Sequence, residues 1–383
     1  MSDKIAYSRN GDIAVLTIQN PPVNALSHAV RQELMDRMDQ AEADSGVRAV
    51  MIVGEGRAFI AGADITEFGK PPMAPALPDV INRIEASPLI VVASMHGVSL
   101  GGGLEVALGC HYRIAVPSAR IGLPEVNLGL IPGAGGTQRL PRVTGVDAAL
   151  DIMTTGRQIG AAEAAKIGVI DVVQDGDPLE NGLAYVADLL AKVAPRRPVS
   201  EIVAPDAIDW DAAYDAILAR GRGQISPAQC VRAVQAGVEK PFAEGLAAER
   251  QIFTDLLKSD QSKGMIHSFF SERAVGNLPE LKGVTPRPLD HIGVIGGGTM
   301  GAGIATAALL SGFQVTLIEM TPAACEAAHG RIAGNLAGAL KRGKITAEQH
   351  QVILNETLTV ANDYAGLSDA DLVIEAVFED MDV

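Results

Sequence analysis

The chain has 383 residues, 48% of them hydrophobic and 20% charged, with 41 glycines and a formal net charge of −15. That is ample apolar material for two or three domains, and it excludes a disordered or collagen-like chain. The negative balance has the wrong sign for gripping nucleic acid or an anionic membrane surface, so any anionic ligand must be a small molecule held by local features.

The N-terminal stretch Met1 to Asp12 lacks the charged-then-apolar pattern of a secretory signal, and the C-terminal end has no lipidation motif. Short β-rich runs at 13–18 (IAVLTI), 49–53 (AVMIV), 89–94 (LIVVAS) and 112–116 (YRIAV) predict buried strands. Ser27 is expected to cap a helix whose Val30, Leu34, Met38 and Ala41 share one face, and helical patterns separate the later strands. This alternation predicts an α/β domain. From about Asp147 to Leu281 the pattern turns mostly helical, with helices expected over 161–167, closed by Gly168, and over 227–239 and 242–257.

Prolines 279, 286 and 288 mark a boundary. Beyond it the pattern restarts as strand 291–295, helix 301–310, strand 314–318, helix 322–340 and short strands at 358–360 and 371–375. The span Ile292 to Ile318 has no charge and is long enough to cross a bilayer, but the glycines at 296, 297, 298, 301, 303 and 312 divide it into strand, helix and strand. No membrane-spanning segment is therefore expected. Cys110, Cys230 and Cys325 form no CxxC pair, so neither a disulfide framework nor a zinc site is expected, and a reducing compartment suits them.

Three segments place glycines beside an acid in apolar surroundings: 56–65 (GRAFIAGADI), 97–105 (GVSLGGGLE) and 122–136 (GLPEVNLGLIPGAGG). Glu105 falls in the first turn of a predicted helix, 103–109, whose free N–H groups suit an oxyanion. An acid there also merely complements the helix dipole, yet residues 98 to 110 contain no other charge and are apolar enough to be buried. Glu125, after Pro124, reads by itself as an ordinary turn acid. His96 reads as a core hydrogen-bonding histidine, His111 as a donor or cation at a helix C-terminus, and Asp64 as a brace for the loop at Ala63. No metal-ligand cluster is present in the pattern.

In the C-terminal part, Gly296, Gly298 and Gly301 fit GxGxxG directly after a strand and at the opening of a helix. Glu319 ends the next strand, where an acid holds the adenosine ribose of NAD rather than the phosphate of NADP. A glycine-rich turn without a ligand is the plainer alternative.

AGADI (61–65), GVSLGGGLEVALGC (97–110) and IGLPEVNLGLIPGAGGTQRLPRVTG (121–145), with NPPVNAL (20–26) as a weaker companion, resemble the enoyl-CoA hydratase/isomerase (crotonase) superfamily. The resemblance implies a ββα-spiral fold and an acyl-CoA thioester substrate whose carbonyl lies between the amides of Ala63 and Gly102. It also implies Glu105 and Glu125 as the catalytic carboxylates and a water held near Gly133. Both acids together favour a hydratase; a 3,2-enoyl isomerase or a non-catalytic acyl-CoA or NAD binding module are the alternatives.

Residues 290–383 are similar to the NAD-binding domain of 3-hydroxyacyl-CoA dehydrogenases, with DADLVIEAVFED (369–380) matching a later strand. That likeness implies Gly296, Gly298, Met300, Gly301, Glu319, Ala376, Val377 and Glu379 as cofactor contacts. The order hydratase then dehydrogenase is that of the multifunctional fatty-acid β-oxidation enzymes. The expected division is a crotonase core at 1–190, a helical part with the family's linker helix at 191–285, and an incomplete Rossmann-type, doubly wound NAD domain at 290–383. That family's downstream His–Glu pair does not occur before Val383, so the chain reads as a fragment in which hydride transfer is not expected. Expected partners are the thioester and NAD, with no nucleic acid; the oligomeric state and the acyl length accepted by the loop 69–78 have no readable code. The cytoplasm of a bacterium or a peroxisome-like organelle is the expected location.

Overall fold

The β-branched run Ile13–Ile18 pairs on both sides, because nearly every position along it is buried. In the computed structural model, which describes residues 3–276 and 278–379, it is β2 of a six-stranded sheet. Its antiparallel neighbour β1 (Ile5–Asn10) is reached through a tight turn at Gly11, whose φ of +60° favours glycine. On the other side follow in parallel β3 (Ala49–Gly54), β4 (Ile90–Met95), β6 (Tyr112–Ala115) and β9 (Val172–Val173). A small second sheet joins β5 (Val98–Leu100), β7 (Arg120–Gly122) and β8 (Ile159–Gly160).

The helices of this unit are α1 (His28–Ala43), α2 (Leu77–Glu85), α3 (Gly102–Gly109), α4 (Gly136–Thr144), α5 (Val146–Thr155), α6 (Ala161–Lys166), α7 (Pro178–Ala191), α8 (Trp210–Arg220), α9 (Ser226–Glu239), α10 (Phe242–Lys258) and α11 (Asp260–Val275). Val30, Leu34, Met38 and Ala41 of α1 are buried on one face, as their spacing predicts. Ser27 does stand at the N-cap position, but its side chain makes no capping bond. The carboxylate of Glu67 takes the His28 amide instead, at 2.7 Å. α11 occupies the stretch read as a linker helix.

The chain divides into two units between Asn277 and Leu278. In the second, β10 (His291–Ile295), α12 (Thr299–Leu310), β11 (Gln314–Ile318), α13 (Pro322–Lys341), α14 (Ala347–Val352), β12 (Leu358–Ala361) and β13 (Leu372–Glu375) follow in order. The four strands are all parallel in the order β12-β11-β10-β13, which counted within the unit is 3-2-1-4, the start of a doubly wound sheet. Val294, Leu317, Ala305, Ile332 and Leu336 form its core. The uncharged span 292–318 is thus strand, helix and strand, and no helix among the described residues is long and apolar enough to cross a membrane.

Candidate active site

Two tight turns bring backbone amides together at the start of α3. Gly62 has φ +130° and Gly101 φ +52°, both in the left-handed region, and they orient the residues that follow them, Ala63 and Gly102. Gly102 opens α3, so its N–H has no partner within the helix, and neither its amide nor that of Ala63 donates to another described residue. The two groups are close neighbours, since a Cβ on Gly102 would lie 3.2 Å from the Ala63 nitrogen and 2.8 Å from Leu77 Cδ2. Only glycine leaves room there for a substrate oxygen to approach both donors.

Glu105 is one turn further along α3 and 3% exposed. Its Oε1 accepts the Ala134 and Gly136 amides, each at 2.8 Å. Burial pushes its carboxyl above the usual range, and the two amides together with the charges of Arg139 and Arg250 oppose that rise. Glu125 begins a short 3-10 turn after β7, with its Oε2 enclosed and without a hydrogen-bond partner. Burial first, then the charge of Glu105, holds it well above the ordinary carboxylate value. The two acids differ in just this respect: one has donors that favour its anion, and the other has an orphaned oxygen that favours its proton.

Ala63, Gly102, Glu105, Glu125 and Gly133 line one cavity of about 210 Å³. Every hydratase-site residue expected from the sequence is therefore brought to one place. Gly133 lies on that lining ahead of the helix proper, which starts at Gly136, and the amides of Ala134 to Thr137 are already taken by carboxylates. Its own N–H donates to no acceptor among the described residues, and a Cβ there would collide with the Phe253 ring. The loop 69–78 contributes Gly69, Lys70 and Met73 to the same cavity.

Sequence reading missed Glu249 of α10, which is 1% exposed. Its Oε1 accepts the Gly135 amide at 2.6 Å, and its Oε2 accepts the Thr137 amide at 2.9 Å and the Thr137 hydroxyl at 2.5 Å. Burial, then the charge of Glu105, raises it to about 8 against those donors. In the structure Gly245, Glu249 and Leu256 form the buried stripe of α10, so an acid stands at a core position. The next residue, Arg250, and Phe253 reach the cavity from the same helix.

The remaining candidates are structural. His96 Nε2 meets the Gly56 carbonyl at 3.0 Å. His111 is not a cation at a helix end: it is fully buried, its Nδ1 accepts the Val91 amide, and burial lowers its pKa, so the ring is neutral. Asp64 accepts the Thr66 amide and hydroxyl, bracing the turn beside Ala63.

In the second unit Gly296 has φ +93°, and a Cβ on it would lie 2.8 Å from the Ala376 carbonyl and 2.9 Å from Val377 Cγ1. A Cβ on Gly301 would collide with the Gly296 carbonyl, while Gly298 caps α12 with open space around it and Met300 is exposed. These features fit a dinucleotide: bare amides at a helix start for the pyrophosphate, and an acid at the next strand end. Glu319 Oε1 accepts the Gly297 amide at 2.7 Å, which holds the carboxylate beside the loop. Glu379 is exposed, three residues beyond Ala376.

Comparison with known proteins matches each unit to a known family model. The family model "Enoyl-CoA hydratase/isomerase" matches residues 8–199, and "3-hydroxyacyl-CoA dehydrogenase, NAD binding domain" matches residues 291–383. The chain is 40% identical to the peroxisomal bifunctional enzyme of Danio rerio, over 96% of this chain and 52% of that protein. It is 35% identical to the human peroxisomal bifunctional enzyme, over 98% of this chain and 53% of that protein. It thus spans about half the length of the curated relatives it matches. Among solved structures, a carnitinyl-CoA dehydratase from Mycobacterium avium 104 superposes with a TM-score of 0.54 at 26% identity, covering 70% of this chain and 97% of that one. With both cavity carboxylates inside a match over half of its residues, the chain belongs to the enoyl-CoA hydratase/isomerase family and continues into the NAD-binding domain of the 3-hydroxyacyl-CoA dehydrogenases.

Proposed function

We propose that the first unit hydrates 2-trans-enoyl-CoA thioesters to 3-hydroxyacyl-CoA, a step of fatty-acid β-oxidation. The observation that carries this reading is the convergence of Glu105, Glu125 and the two unengaged amides of Ala63 and Gly102 on one cavity. Attack of water at C3 drives charge onto the thioester oxygen, and each preorganised N–H aimed at that oxygen lowers the barrier by about 3 kcal/mol. Glu105, the acid whose anion is hydrogen-bonded, takes the proton from the attacking water. Glu125, the acid that keeps its proton, delivers it to C2. Residues 1–190 supply the amides and both acids, and the helical part at 191–285 completes the cavity through Arg250 and Phe253 of α10.

The test is the loss of enoyl-thioester ultraviolet absorbance. Glu105→Gln and Glu125→Gln are each expected to lose about a hundredfold or more in kcat while keeping the circular dichroism of the unchanged protein. Near-normal turnover in both would overturn the assignment, and thioester binding without turnover in the unchanged protein would mark a binding module instead.

The hydration product, a 3-hydroxyacyl thioester, is the substrate class of the dehydrogenases whose NAD-binding domain the second unit matches. We therefore assign NAD to that unit, with its pyrophosphate on the loop formed by Gly296, Gly298, Met300 and Gly301, its adenosine ribose on Glu319, and Ala376, Val377 and Glu379 beside it. NAD supplies a hydride acceptor when bound. The relatives' names point to peroxisomes or glyoxysomes, and three free cysteines, two of them buried, suit such a reducing setting or a bacterial cytoplasm.

A further inference from the structure

Four consecutive amides at the start of α4 donate alternately to two carboxylates. Those of Ala134 and Gly136 go to Glu105, and those of Gly135 and Thr137 go to Glu249. The loop is thus clamped between two buried acids on different helices, α3 and α10, with the Thr137 hydroxyl as a third donor to Glu249. Gly135 makes the alternation possible, because its φ of +100° turns successive N–H groups to opposite sides. Glu105 faces the cavity, whereas Glu249 sits behind the loop and touches no cavity space.

We propose that Glu249 is a positioning residue of the hydratase site: it grips the Gly135 and Thr137 amides from behind so that the Ala134 and Gly136 amides stay aimed at Glu105. The proposal rests on the hydration reading above. Both Glu249 oxygens accept N–H groups, an arrangement a carboxylate satisfies and an amide does not, since glutamine must turn its NH2 toward one of them.

The groups around Glu249 define its electrostatic effect. Glu105 on α3 is the anionic neighbour that raises it, Glu125 on its turn is a second acid that keeps its proton, and Cys230 on α9, pushed far up by burial, is a neutral thiol; the positive charges of Arg139 on α4 and Arg250 on α10 act on Glu105. Arg139 is paired with Glu85 at 2.6 Å, and its positive charge still favours the Glu105 anion. Glu249 titrates at about 8, and its charge is among the causes that raise Glu125. As pH rises through that value, the new anion therefore holds the proton on Glu125 to higher pH.

The experiment is steady-state hydration of a short enoyl-CoA across pH 6 to 10 by the unchanged chain and by Glu249→Gln. The variant is expected to lose about ten- to a hundredfold in kcat with KM changed by less than about threefold, and to bring the alkaline limb of kcat/KM down by about half a unit to one unit. Thr137→Val serves where Glu249→Gln fails to fold. Loss of the hydroxyl donor drives the Glu249 titration upward, so its support for Glu125 arrives later and the alkaline limb again moves down. An unchanged kcat and alkaline limb in the folded variant, with the parent chain active, overturns the proposal; a parent chain without turnover overturns the hydration reading itself.

Discussion

Glu105, Glu125 and Glu249 are one coupled group of buried acids, and their cost is visible in the stability of the fold as well as in its chemistry. Glu249 has an ordinary carboxyl value of 4.5 and a folded one of about 8. The folded chain therefore binds more protons than the unfolded chain between those values, and stability falls as pH rises. Its contribution is fully present below pH 4.5 and is lost as pH climbs through about 8. Urea unfolding at pH 5 and pH 8.5 measures this: the unchanged protein is expected to lose more unfolding free energy over that interval than Glu249→Gln, which has no proton to give up. Equal losses in the two proteins would remove Glu249 from the titrating set. Glu125 and Glu105 titrate in both, so the difference between the proteins reports Glu249 together with its coupling to those two acids.

At the scale of elements, the site depends on how closely α3 approaches the loop segment before it. A Cβ on Gly103 would collide with the Ile60 carbonyl and lie 2.8 Å from the Ile60 carbonyl carbon, backbone that has nowhere to move. Gly103→Ala is expected to cost about 2 kcal/mol or more in urea unfolding and to suppress hydration, since α3 carries Gly102 and Glu105 with it. Gly264 of α11 has nothing within 4 Å of a Cβ, so Gly264→Ala should instead add up to about 1 kcal/mol by helix propensity. Similar effects from both would show that the close approach at Ile60 is not what fixes the helix.

The same contrast explains what the sequence could reveal. Strands buried on both faces were legible because β2, β3 and β4 are short, nearly uninterrupted apolar runs rich in β-branched residues. β1 was not, because most of it is partly exposed and its polar positions mask the pattern, and β5, β7 and β8 are only two or three residues long. Glu105 stood out through its apolar, glycine-rich neighbourhood, whereas Glu125, which alone reads as a turn acid, became a candidate only through the family resemblance. Glu249 was not legible, because its partners Gly135 and Thr137 lie more than a hundred residues away and an acid on a helix ordinarily faces water.

For the whole molecule, the two units have separate cores: Ile18, Ile52 and Leu108 belong to the cluster of the first, Val294, Leu317 and Ile332 to that of the second. Each functional loop is built within one unit, so a defect in one loop should stay there. Gly301→Ala is the sharpest probe, because its Cβ collides with the Gly296 carbonyl and would lie 2.9 Å from the carbon of that same group. The turn that bares the amides at the start of α12 must then open, and the pyrophosphate site proposed there is expected to be lost with it. Calorimetric titration with NAD is expected to give heat with the unchanged chain and none with Gly301→Ala, while hydration of enoyl-CoA by the variant stays within about twofold. Absence of heat with the unchanged chain counts against the NAD assignment. A fall in hydration that tracks the lost NAD binding would mean that the loop at Gly296 communicates with the carboxylates at Glu105 and Glu125, and the separation of the two cores would not then describe how the chain works.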